Sequence, residues 1–291
     1  MAHAHHAPAA ADKYYVPHAS HWPIIGSVSL FITVFGAAQW FNYGQSWLFW
    51  IGIVCVLGLF FGWFRDVINE SVAGIYNEAV DRSFRMGMMW FIFSEVMFFA
   101  AFFGALYYAR EISMPWLSGQ GTKFVNTLLW TDFTGAWPGN GPEKLGGDFE
   151  VIPAFGLPAI NTLLLLTSGV TITIAHHALR DNKRGVLKLF LALTFLLGFV
   201  FVYLQALEYM EAYQHYNLKL STGIYGSTFF MLTGFHGFHV TIGAIMLTVI
   251  WLRTLKGHFS PENHFAFEAV AWYWHFVDVV WLGLFIFVYW L

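Results

Sequence analysis

The chain of 291 residues is 58% hydrophobic and only 11% charged, where a soluble domain carries roughly 25% charge, so an ordinary soluble enzyme is excluded and an integral membrane protein is expected. At about 20 residues per helix plus loops, the length allows about six to eight spans. The net charge of −3 argues against nucleic acid as a partner, and a single cysteine, Cys55, leaves no disulfide framework and no CxxC metal motif.

In chain order, residues 1–21 begin with a polar His/Ala-rich stretch, "MAHAHHAPAAADKYYVPHAS". It lacks the short basic start and early apolar core of a cleaved signal. A disordered cytoplasmic tail is expected there. Apolar runs then predict seven helices over 24–41, 47–64, 86–108, 157–179, 186–207, 223–251 and 269–290. Residues 22–64 hold the first two, 65–85 form a cytoplasmic connection, and 86–291 hold the other five. The intervals carry Gly, Pro, Asn and charge, as loops do. The one long outer loop, 109–155, is rich in Trp and Phe, which favours a packed cap over a loose tether.

With the N-terminus inside, the inner segments hold ten basic residues and the outer segments four. The positive-inside rule therefore predicts a cytoplasmic N-terminus and a periplasmic C-terminus. No pair of broken, inverted short helices suggests a transporter. No phosphate loop, nucleophile elbow or dinucleotide fingerprint occurs in a usable context.

The third span, "FIFSEVMFFAAFFGALYY" over 91–108, contains one acid, Glu95. It lies about nine residues, ~14 Å, from the expected inner end of its helix, near the bilayer middle. Charge in hydrocarbon is costly, roughly 2.5–3.5 kcal/mol on insertion scales. Two readings follow: a structural acid hydrogen-bonded within the fold, or an acid poised at a lipid- or water-accessible face and involved in proton movement. His236 and His239 on the sixth span, and His275 and Asp278 on the seventh, are its possible partners. The other acids are expected mostly at loops or helix ends.

Histidines on neighbouring spans can ligate haem iron. The expected depths of His275, ~9 Å, and His239, ~18 Å, from the inner ends of their helices match poorly. Helix-to-helix hydrogen bonding is the preferred reading, and no metal site is expected. His176 and His177, adjacent at the inner end of the fourth span, read as capping or headgroup contacts. Arg253, Lys256 and His258 at the inner end of the sixth span form a basic cluster suited to anionic lipid. Trp63 and Arg65, at the inner end of the second, read the same way.

Several stretches together resemble one family: "GWFRDVINES", "FIFSEVMFFAAFF", "INTLLLLTSGVTITIAHHAL", "QALEY", "YGSTFFMLTGFHGFHVTIG" and "FEAVAWYWHFVDVVWL". The chain resembles subunit III of haem–copper cytochrome c oxidases in its bacterial seven-span form. The resemblance implies an all-α integral membrane protein, with a two-helix bundle and a five-helix bundle separated by a V-shaped, lipid-filled cleft. It implies a subunit without haem or copper of its own, these being held by partner subunits. It further implies packing on subunit I, a complex with subunits I and II, cytochrome c as electron donor, and bound phospholipids. The implied location is a bacterial cytoplasmic membrane. Glu95 matches the family's buried, carbodiimide-reactive acid. Arg253, Lys256 and His258, with the Trp63–Arg65 stretch, match its phospholipid-headgroup region. The competing readings are the corresponding subunit of a quinol oxidase, a free-standing proton or solute transporter, and a protein with its own haem.

Overall fold

The computed structural model describes residues 14–16, 19–120 and 126–291. Most of the expected tail, residues 1–13 and 17–18, lies outside the described residues, as do 121–125 of the long loop. Among the described residues there is no strand, and seven helices are long and apolar enough to cross a membrane. They are α1 (Trp22–Tyr43), α2 (Trp47–Val72), α3 (Glu78–Tyr107), α4 (Leu157–Arg180), α5 (Arg184–Gln214), α6 (Gly223–Leu255) and α7 (Phe265–Leu284). A helix satisfies every backbone N–H and C=O within itself, which is what hydrocarbon demands of a spanning segment.

The helices outrun their apolar stretches. The end of α2 and the start of α3 take in most of 65–85, so only residues 73–77 form the connection between them. The added turns are polar and carry ions of their own: Arg85 pairs with Asp81 at 2.7 Å, one turn apart. Apolarity marks the part of a helix that meets lipid, whereas the backbone ladder continues for as long as nothing breaks it. Beyond α3 the chain passes through a π-helical turn, Tyr108–Ser113, and a short helical turn, Met114–Leu117, before the long loop begins.

The chain divides into two compact units, Met1–Met86 and Gly87–Leu291, with the division inside α3. In the first, α1 and α2 form a tight hairpin. Gly44 ends α1 at φ 73°, a left-handed position that a side chain would strain. A Cβ on Gly36 would lie 2.3 Å from the Phe49 backbone nitrogen, so glycine is what allows the two backbones to touch. The Trp22 indole donates to Asp66 at 2.9 Å, and Tyr15 and Tyr76 donate to the two oxygens of Glu70 at 3.1 and 2.7 Å. Most other side chains of α1 and α2 face outward and are apolar, as lipid-facing surfaces are.

The second unit has a continuous core between α4, α5, α6 and α7. Its buried polar groups join helix to helix. Trp274 donates to Ser168 at 2.8 Å and Trp281 to Thr162 at 2.9 Å, tying α7 to α4. Thr171 meets Thr194 at 2.8 Å between α4 and α5, and Tyr209 meets Thr233 at 2.6 Å between α5 and α6. Such bonds are worth about 0.6 kcal/mol on average in a membrane protein, so they set register more than stability. The later part of the long loop docks on the α5–α6 turn. Asn217 donates to the carbonyls of Gly146 and Asp148 at 3.1 and 2.9 Å, and Phe149 stacks on Tyr225 with ring centroids 5.5 Å apart.

Candidate functional site

α3 lies on α6 and α7 through a layer of aromatic rings. Phe98 and Phe102 meet Phe235 of α6 at 5.1 and 5.2 Å, and Phe99 meets Phe276 of α7 at 6.0 Å. Helical periodicity puts Phe91, Phe98, Phe99 and Phe102 on the face that carries Glu95. Within this ring layer Glu95 makes one polar link: its Oε2 lies 2.9 Å from Nε2 of His239. The acid side chain is 21% exposed and the imidazole 10%.

The hydrogen bonds restrict where protons sit. His239 Nδ1 lies 2.6 Å from the Phe235 carbonyl oxygen. A carbonyl only accepts, so Nδ1 carries hydrogen. The 2.9 Å contact between Nε2 and the carboxyl then holds one further proton. Either a carboxylic acid donates to a bare Nε2, or an imidazolium donates to a carboxylate. The pair is a two-position proton holder set among phenyl rings.

The other three possible partners are engaged elsewhere. His236 is fully buried, and its Nε2 bonds the Val277 carbonyl at 3.2 Å. His275 and Asp278 face α4 instead of α3. His275 Nδ1 lies 3.8 Å from Asp278, and its Nε2 lies 3.4 Å from Thr173. A Cβ on Gly169 would sit 2.5 Å from Asp278 Oδ2, which shows how closely α4 covers that acid. The spacing of these residues on α6 and α7 is compatible with any of the four meeting Glu95. Which one does depends on how each helix is rotated, and that is set by packing.

A further interior acid, Glu208 on α5, lies within the "QALEY" stretch but is given no role by sequence, and it is an exception to the expectation that the other acids sit mostly at loops and helix ends. It is 1% exposed. Tyr289 donates to its Oε1 at 2.5 Å, and Gln205, one turn earlier, lies 3.5 Å from the same oxygen. The apolar run stops at Leu207, but α5 continues to Gln214, and the π-helical turn Phe285–Trp290 that follows α7 closes over Glu208 with Tyr289. The available signal was the Gln205–Glu208 spacing on one helix face beside an aromatic C-terminus.

The expected headgroup residues are not equivalent. Arg253 is 7% exposed, with its guanidinium 4.6 Å from the Phe259 ring centre and its Nε without a hydrogen-bond partner. Lys256 is exposed and His258 half-buried. Burial, then Arg253 and Lys256, hold the His258 imidazole below its usual value. In the first unit Trp63 and Arg65 are both exposed on α2.

The motifs that build this arrangement can be set beside known proteins. The family model for cytochrome c oxidase subunit III matches residues 12–291. The chain belongs to this family. It is 41% identical over 281 residues to cytochrome c oxidase subunit 3 of Gadus morhua, covering 96% of this chain and 97% of the relative. The corresponding proteins of Carassius auratus and Struthio camelus are 42% and 40% identical over the same shares. As a subunit III, the chain is a multi-pass membrane protein and a member of an oxidase complex. Subunit III relatives named for cytochrome c oxidase disfavour the quinol-oxidase reading.

Proposed function

We propose that this subunit III holds no redox centre of its own and supports oxygen reduction and proton pumping through its contacts. It packs on subunit I, assembles with subunit II, retains phospholipid, and belongs to a complex that takes electrons from cytochrome c. Haem and copper belong to the partner subunits. The observation that carries the reading is the family match over residues 12–291. The site supports it in kind: the conspicuous interior groups are a proton-holding Glu95–His239 pair and a sealed Glu208, and both histidines of α6 are engaged with protein atoms instead of standing as a facing pair for iron.

The complex sits in a bacterial cytoplasmic membrane with the N-terminus cytoplasmic and the C-terminus periplasmic, the orientation favoured by ten inner against four outer basic residues. Lipid headgroups are held by Lys256 and His258 over the buried Arg253, and by Trp63 and Arg65 on α2. Each basic residue near an anionic surface contributes on the order of 1 kcal/mol.

Gentle purification through a tag on this chain tests the assignment. It should bring down haem- and copper-bearing subunits I and II and oxidise reduced cytochrome c. Recovery of the chain with no haem-bearing partner, or with a complex that oxidises only quinol, would overturn it.

A further inference from the structure

At the other end of the second unit, His176 in the last turns of α4 meets His264 and Glu268 at the start of α7. His176 Nε2 lies 3.5 Å from Glu268 Oε1, and His264 Nε2 lies 3.2 Å from the same oxygen. The three ligand atoms all lie within 4.8 Å of one another. In a tetrahedral zinc site with bonds near 2.05 Å, neighbouring ligand atoms are roughly 3.3 Å apart.

The hydrogen bonds leave the donor atoms facing inward. His264 Nδ1 lies 3.1 Å from the Ser260 carbonyl oxygen. That oxygen only accepts, so Nδ1 carries hydrogen, and a neutral ring then presents a bare lone pair at Nε2. This nitrogen lies 3.2 Å from a carboxylate oxygen, two acceptors brought close together, which a proton or a metal ion shared between them relieves. Neither His264 Nε2 nor His176 Nε2 is aligned for a hydrogen bond, and both atoms are shielded from solvent. The His264 side chain is 9% exposed, Glu268 15% and His176 28%. The contact from Nδ1 to a carbonyl is also what orients a metal-bound histidine and fixes its tautomer.

We propose that His176, His264 and Glu268 bind a divalent transition-metal ion of the zinc type. Two imidazoles and one carboxylate suit zinc among borderline metals, with the fourth position left to water. Bound there, the ion staples the end of α4 to the first turn of α7 and fixes the α6–α7 turn that carries Ser260. His177, adjacent on α4 and outside the cluster, takes no part.

The test uses the intact oxidase complex, washed with chelator, incubated with zinc alone and desalted. Wild type and His177→Gln should retain one more zinc per complex than His264→Gln and Glu268→Gln. Loss of an outer-shell partner typically weakens metal binding 10–100-fold, so loss of a direct ligand should weaken it at least about tenfold. Zinc X-ray absorption on the wild-type complex, which needs no variant, should show a nitrogen/oxygen shell with histidine scattering. Equal zinc in all four proteins, no zinc retained by wild type, or a shell without histidine would overturn the proposal. A proton held between His264 and Glu268 would produce the second of these results.

Discussion

Glu95 and Glu208 are both acids on apolar helices of the same unit, yet their surroundings assign them different chemistry. Glu95 is 21% exposed in a layer of phenyl rings and has an imidazole as its partner. Glu208 is 1% exposed under the last turns of α7, and its partners are a phenol and an amide. An imidazole can accept the proton of the acid, so the Glu95 pair has two proton positions. The phenol and the amide N–H donate to one oxygen of Glu208, so that oxygen stands as an acceptor. Burial alone therefore does not distinguish the two acids; the identity of the partner and the degree of exposure do.

Lysine substitutions should produce the largest difference between the two. Breaking a buried polar pair by placing an uncompensated charge typically costs about 3–5 kcal/mol. Glu208→Lys should yield an oxidase purified without this subunit. Glu95→Lys should lower subunit retention only in part, because a flexible amine at a one-fifth-exposed position can reach outward. Subunit stoichiometry by mass spectrometry reads both. Equal retention of the two variants would dissolve the distinction.

A smaller effect is expected from removing single hydrogen bonds. Tyr289→Phe strips Glu208 of its 2.5 Å donor and leaves that buried oxygen with only the long contact from Gln205, at a cost of about 1–3 kcal/mol. Thermal dissociation of the subunit from the complex should move to lower temperature. Glu95→Gln keeps the shape and a hydrogen bond to His239, so it should cost less than about 1 kcal/mol. That variant should assemble and reduce oxygen. Subunit loss in Glu95→Gln comparable to that in Tyr289→Phe would show that Glu95 is structural in the same sense as Glu208.

The contrast also marks what the sequence reveals. Seven spans are legible because lipid forces long apolar faces and the backbone must close its own hydrogen bonds. The helix ends are not, because turns such as those carrying Asp81 and Arg85 are polar and still helical. Glu95 is legible as one charge in an apolar run, whereas its choice of His239 over His236, His275 or Asp278 depends on the rotation of α6 and α7 in the packed bundle. Glu208 is hidden by its position at the edge of an apolar run, where an acid normally meets water. His264 and Glu268 stand four apart at the start of α7, but nothing in the sequence announces that His176, 88 residues earlier, joins them.

Labelling with a hydrophobic carbodiimide tests the central claim most directly, since the reagent enters from the apolar phase and attacks a carboxyl group that carries a proton. The intact complex is treated, and modification at Glu95 and Glu208 is quantified by peptide mass spectrometry in the same sample. Glu95, with a proton at its contact with His239 and an open side, should carry at least about ten times the label of Glu208, by the difference in access between a one-fifth-exposed and a sealed side chain. Equal labelling of the two acids, or modification confined to Glu208, would contradict the account.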